Sequence, residues 1–226
     1  MPTPARTSDL FLIDDLQDPA RTTELTGADR EALQTVADWM RTYVIKPHPD
    51  LGRAGPVCPF VPVSLEHDAL WLVAEPLTDH DGPAVAERLD HYTRLLLDVA
   101  PTGGAAPYPV IVVVFPRLPP DRAPALFEAV TQRLALPAYA DHGIIYGPFF
   151  PGHQGTAIHN ANFRPFRSPV PFMFVRQTVV EDWEFFLDND ELFDLWARRF
   201  GPSATHALAQ RLRRLPWREG HDQKDF

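Results

Sequence analysis

The run Pro109-Val110-Ile111-Val112-Val113-Val114-Phe115 is apolar from end to end and dominated by β-branched side chains. Such side chains are stiff at χ1 and crowd a helical turn, whereas a pleated strand accommodates them well. A strand with one face in water would alternate apolar and polar residues, so an unbroken run needs apolar cover on both faces. The stretch is therefore predicted to be a central strand with other elements packed above and below it. It is also the longest apolar stretch in the chain, and it is far too short to cross a bilayer.

The flanking sequence supplies the other layers. Upstream, Gly82 to Val99 places Val85, Leu89, Tyr92, Leu96 and Val99 on one helical face, and Ala69 to Glu75 reads as a strand. Downstream, Pro120 to Leu134 is predicted helical, with Pro120 near its first turn and Leu126, Phe127, Val130 and Leu134 on one side. Residues 28–45 carry Leu33, Val36, Trp39, Met40, Tyr43 and Val44 at helical spacing, with a cap at Thr26 or Gly27. Gly143–Gly147 and Val170–Val179 are predicted strands. Two helices follow, over Glu181–Phe200 with a break near Asp188–Asp190, and over Ser203–Leu215. Without a regular βαβ period or an internal repeat, the expected class is α+β: a small, mainly antiparallel sheet with packed helices and two long ordered loops. Residues 1–26 are expected to form an N-terminal arm, 27–215 a single α+β domain and 216–226 a flexible C-terminal tail.

A net charge of −9 argues against nucleic acid as a partner, because phosphate binding needs clustered basic surface. The N-terminus lacks the apolar core of a signal peptide, so the expectation is a cytosolic protein with no membrane partner. The 25 prolines are scattered as punctuation through the chain and favour ordered irregular loops, where sites tend to sit.

Two such loops hold the chemically interesting residues. Residues 46–64 contain five prolines and two glycines, with His48, Asp50, Arg53 and Cys58 among them. The second region, within 137–169, carries His153, His159, Asn160, Asn162, Arg164 and Arg167. Loops this long without internal structure are usually functional or disordered. Phe60, Phe149, Phe150, Ile158, Phe163 and Phe166 make them too apolar for disorder, so they are expected to pack against each other and a ligand. Cys58 is the only cysteine, which excludes a disulfide within the chain and a thiolate zinc site. It is either a small core residue or a working sulfur: a nucleophile, a redox thiol or a single axial ligand to iron. Pro59 breaks regular structure there and biases Cys58 toward an extended, loop-presented conformation. As a ligand to haem iron, Cys58 would have Val57, Phe60 and Val61 as apolar wall. Arg53, Arg164, Arg167 or a histidine such as His48 would hold the propionates.

The runs His48-Pro49-Asp50-Leu51-Gly52-Arg53, Gly55-Pro56-Val57-Cys58-Pro59-Phe60 and His159-Asn160-Ala161-Asn162-Phe163-Arg164-Pro165-Phe166-Arg167-Ser168-Pro169-Val170-Pro171 resemble an uncharacterised actinobacterial family of about this length, over residues of about 40 to 200. A second resemblance is to the YqcI/YcgG family, in which a Cys-Pro-Phe element comes early and an Arg-Ser element late. Some of its members are haem-dependent enzymes that hydroxylate a guanidine nitrogen of arginine. That resemblance implies that Cys58 is the proximal thiolate to the iron of haem b, with Arg164, Arg167 and Ser168 in the later basic element. This chain departs from the pattern in its Phe-Arg-Pro-Phe-Arg-Ser-Pro spelling and its shortness. The implied activity is a haem-thiolate oxidase or oxygenase acting on a small nitrogenous or amino-acid-derived substrate in secondary metabolism. A thiolate ligand favours O–O cleavage. His153 or His159 would serve as acid and base, and Asn160, Asn162 and Phe60 would contact substrate.

Two other classes compete. His48-x-Asp50 with a distant His153 or His159 matches the two-histidine, one-carboxylate pattern of non-haem iron oxygenases, although Pro47 and Pro49 make a poor ladder strand there. Alternatively the protein is a non-catalytic small-molecule binder whose second loop grips a carboxylate or phosphate through Asn160, Asn162, Arg164 and Arg167. Cysteine nucleophilic catalysis ranks lower, because nothing places a histidine beside Cys58 in sequence. The aromatic run from Trp183 to Phe200 is read as core, with the seam of a homodimer as the alternative.

Overall fold

The computed structural model describes residues 9–77, 81–99 and 108–213. Five strands, β1 (Phe11–Leu12), β2 (Leu70–Ala74), β3 (Val110–Val114), β4 (Ile144–Phe149) and β5 (Phe172–Gln177), form one sheet in the order β1-β2-β3-β5-β4. Only β2 and β3 are parallel; every other neighbouring pair is antiparallel. Six α-helices accompany them: α1 (Gly27–Trp39), α2 (Val61–Glu66), α3 (Gly82–Val99), α4 (Ala123–His142), α5 (Asp190–Phe200) and α6 (Pro202–Arg213). The fold is α+β, as the sequence predicts.

The valine-rich run occupies the middle of the sheet and is buried throughout. Its side chains divide by parity, as a pleated strand requires. Ile111 and Val113 join Val85, Leu89, Tyr92 and Leu96 of α3 and Phe127 and Val130 of α4 on one face. Val110, Val112 and Val114 join Leu33, Val36, Ala37 and Met40 on the other. The neighbours follow suit: Met173 and Val175 of β5 face the α3–α4 layer, while Phe172 lies with the α1 layer.

Four differences from the expectations have clear causes. The arm is not loose from residue 9 onward. Leu10, Phe11, Ile13 and Leu16 are buried, β1 pairs with β2 through Phe11↔Leu72, and Asp15 Oδ2 accepts the Leu12 N–H at 3.0 Å. Four apolar residues in seven suffice to dock a short edge strand. Second, α4 runs two turns beyond Leu134, straight through Pro137. Pro137 lies on the exposed side, where the carbonyl that loses its partner can meet water, and the extra turns bury Tyr139. Gly143 then ends the helix, its N–H donating to Tyr139 O at 2.8 Å. Third, the first loop closes in a short helix, α2, whose Ser64 hydroxyl donates to Tyr108 O at 2.8 Å. Fourth, a 3-10 turn (Val180–Phe185) replaces the first part of the predicted Glu181–Phe200 helix.

Beyond β5 the aromatic region forms a small core of its own, with Trp196 fully buried and its Nε1 donating to Val180 O at 3.1 Å. Arg176 fastens it to the sheet by a bidentate pair with buried Asp182, at 2.9 and 2.6 Å. Among the described residues no helix is long and apolar enough to cross a membrane. Residues 1–8 of the expected arm and the expected tail, 216–226, lie outside the described residues.

Candidate functional site

Helix α1 does not stop at Trp39 but widens into a π-turn (Met40–Val44), with Ile45 N–H donating to Met40 O at 3.1 Å. Such turns recur at functional sites because they redirect side chains without ending the helix. The chain then leaves on a closed loop. Val57 N–H donates to Lys46 O and Cys58 N–H to Val44 O, both at 3.0 Å, and Pro47 bridges Pro56. Cys58 therefore sits at the neck of this loop, tied to the end of the π-turn. Inside it, Arg53 donates to Ala54 O at 3.0 Å and Val57 O at 3.1 Å, bracing the peptide that leads into Cys58.

The second loop docks on the first. Phe163 stacks on His48 with ring centroids 4.4 Å apart, and Leu51, Ala157 and Phe163 are buried together with Tyr43 and Val57 against them. Asn160 Nδ2 donates to Asp50 O at 2.8 Å, while its Oδ1 accepts Asn162 N–H at 2.9 Å. Gly52 makes the approach possible. Its φ is +78°, and a Cβ there would lie 2.6 Å from the His159 carbonyl oxygen. The expectation that the two loops pack on each other is thus met by backbone contact as much as by side chains.

Cys58 is half-buried. It packs against the α1-side core together with partly buried Trp39, Tyr43, Val61, Leu65, Phe149 and Phe174. Phe149 stacks on Phe172 at 4.7 Å, and Trp39 meets both of them edge-on at 5.9 and 5.8 Å. The Phe174 ring lies over Gly147, where a Cβ would come within 2.0 Å of it. Arg176 is held between Phe174 and Phe60, 5.3 and 5.7 Å from their ring centres, which links the residue two beyond Cys58 to this aromatic shelf.

The remaining predicted residues divide into two groups. On the loop-one side, His48 Nδ1 accepts Asp50 N–H at 3.2 Å and lies 3.9 Å from Asp50 Oδ2. His159 and Asn162 are exposed. On the far side of the second loop, His153 is half-buried between Phe150 and Phe166, with ring centroids 4.5 and 5.4 Å away. Its Nδ1 accepts Gly155 N–H at 2.8 Å, which assigns the ring proton to Nε2. Burial pushes its pKa below the ordinary value. Arg164 Nη1 donates to Ala161 O, and Arg167 Nε donates to His153 O at 3.1 Å. Among the described residues no three His, Cys, Asp or Glu side chains gather as a metal-binding group, the set His48, Asp50 and His153 or His159 included.

Phe149 and Phe174 share a cluster with the thiol, and no sequence signal joins them to it. Trp39 and Tyr43 fall on the apolar stripe of α1, read as core and pack on the core; Tyr43, carried by the π-turn, also meets His48 and Phe163 of the loops. Burial raises the pKa of Tyr43, keeping its hydroxyl protonated.

A mixed sheet with α3 and α4 on one face and α1 on the other, and two interlocked loops with the lone thiol at the neck of one, define an α+β fold. The chain belongs to the DUF6875 family, a domain of unknown function, whose model matches residues 33–211. No curated protein and no solved structure matches it.

Proposed function

We propose that the protein binds haem b through Cys58 and is a haem-thiolate oxidoreductase for a small nitrogenous or amino-acid-derived substrate. The observation that carries this reading is the half-buried state of the only thiol, in a cluster that also holds partly buried aromatic rings. A cysteine recruited merely to fill space would be sealed in hydrocarbon. A sulfur that must meet a flat macrocycle needs an open side and an apolar wall, and the partly buried Trp39, Tyr43, Phe149 and Phe174 of its cluster are the candidates for that wall. The fit rests on donor chemistry: one thiol that is not sealed away.

When bound, haem with a thiolate ligand supplies oxygen activation. The chain's own residues do the rest. The Val44 and Lys46 carbonyls hold the loop neck, and Arg53 fixes the Val57–Cys58 peptide, so the sulfur is presented from a rigid mount. The hydroxyl of Tyr43 stays protonated and is available to donate a hydrogen bond. Arg53 braces the peptide that leads into the thiol.

Haem reconstitution followed by a visible spectrum tests the reading. Wild-type protein is expected to show an intense Soret band, and Cys58→Ala to lose it while keeping an unchanged thermal melt. A wild-type protein that takes up no haem, or a Cys58→Ala variant with an identical spectrum, sinks it.

A further inference from the structure

Between Gly143 and Val180 the chain has no Asp or Glu, in a protein that carries 30. An even spread of those 30 over 226 residues would put about five in that segment. The same segment holds Arg164, Arg167 and Arg176. Only Arg176 has an acidic partner, Asp182 from the next turn. Arg164 and Arg167 have none within 4.0 Å among the described residues. Their guanidinium groups are nevertheless fixed, because each donates to carbonyls of its own loop: Ala161 and Phe163 for Arg164, His153 for Arg167. A neutral carbonyl holds the group in place without cancelling its charge. The outer N–H groups of each fork are left for another acceptor.

We propose that Arg164 and Arg167 make the second loop a preorganised carboxylate-binding surface. The inference deepens the haem reading and rests on it only for what the carboxylate belongs to. Anchoring before binding reduces the side-chain entropy lost when the anion arrives, and a guanidinium–carboxylate contact is a charge-assisted hydrogen bond. The segment supplies no carboxylate of its own to compete, while the acidic remainder of the chain disfavours anions elsewhere. The carboxylate has two chemical sources: a haem propionate, or a free acid such as an amino-acid-like substrate.

Benzoate is the probe, titrated calorimetrically into haem-free and haem-loaded protein, with neutral benzamide as its isostere. Benzoate is expected to bind haem-free protein, more weakly as salt is added, and benzamide at least about tenfold more weakly, the value of one lost charge-assisted bond. Arg164→Gln/Arg167→Gln should weaken benzoate by at least the same factor, whereas Arg133→Gln on α4 should not change it. Persistence of benzoate binding after haem loading assigns the surface to substrate; displacement by haem assigns it to the propionates. Equal binding of benzoate and benzamide, or no binding of benzoate to wild-type protein, overturns the proposal without needing a variant that folds. Cys58→Ala should keep benzoate binding intact, so failure of the haem reading and failure of this one give different results.

Discussion

The sheet core and the interlocked loops are stabilised by different means, and the difference explains what each can tolerate. In the core, order comes from apolar side chains at regular spacing: β3 is buried on both faces, with α3 and α4 on one side and α1 on the other. In the loops, order comes from bonds to backbone: Cys58 and Val57 N–H groups to Val44 and Lys46, Asn160 to Asp50, Arg53 to Val57, Arg167 to His153. A side-chain core tolerates changes of polarity badly, and also changes of volume. A backbone-stitched loop tolerates changes of volume at its surface, but no change where two main chains touch.

The sharpest test of that contrast pairs one substitution from each region. Phe127 is fully buried between Phe115 and Phe150, with ring centroids 5.5 and 6.2 Å away. Phe127→Ala should cost about 3–5 kcal/mol in denaturant unfolding, the sum of lost transfer energy and the cavity left behind. It should leave haem uptake per folded molecule unchanged. Gly52→Ala adds a single methyl group, yet it should cost on the order of 2 kcal/mol. The left-handed φ strains the new residue, and its Cβ collides with the His159 carbonyl. Its larger effect should be on function, because undocking the loops releases the neck that presents Cys58. If Gly52→Ala binds haem and benzoate as the wild type does, the loops are not one unit and the comparison fails.

The core was legible in the sequence because periodicity reports side-chain burial directly. Val110–Val114 announced its central place by lacking any polar residue, and Gly82–Val99 matched its helix end to end. The parallel β2–β3 pairing was not visible, since a single crossover helix leaves no period to detect. Within the loops, Gly52 and Asn160 were visible as residue types, but the contacts that make them matter join positions more than a hundred residues apart. No local pattern encodes such a meeting. Trp39 and Tyr43 read as core and pack on it, but a helical stripe does not show that Tyr43 also meets His48 and Phe163 of the loops. The acid-free segment from Gly143 to Val180 is legible in the sequence as an uneven spread of charge along the chain, which the net charge hides.

The smallest expected effect probes where the loop borrows from the core. His153 is a loop histidine wedged between Phe150 and Phe166, and its burial holds the imidazole below its ordinary pKa of 6.5. Charging it would place an ion against Phe150 and Phe166 and would turn Nδ1 from acceptor to donor, breaking the bond from Gly155 N–H. Among the described residues, Arg167 is the charged group bonded to it, through its backbone carbonyl. The sign follows from proton binding. Below 6.5 the unfolded chain takes up a proton that the folded chain refuses, so stability falls as pH drops from that value. The loss levels off once the folded pKa is passed. His153→Asn keeps an acceptor near the Gly155 N–H and cannot ionise. Its unfolding free energy should therefore decline less than that of wild type between about pH 7 and about pH 5, on top of whatever the carboxylates contribute to both. Parallel pH profiles for the two proteins would mean that His153 is solvated in solution. The second loop would then owe its order to the backbone contacts alone.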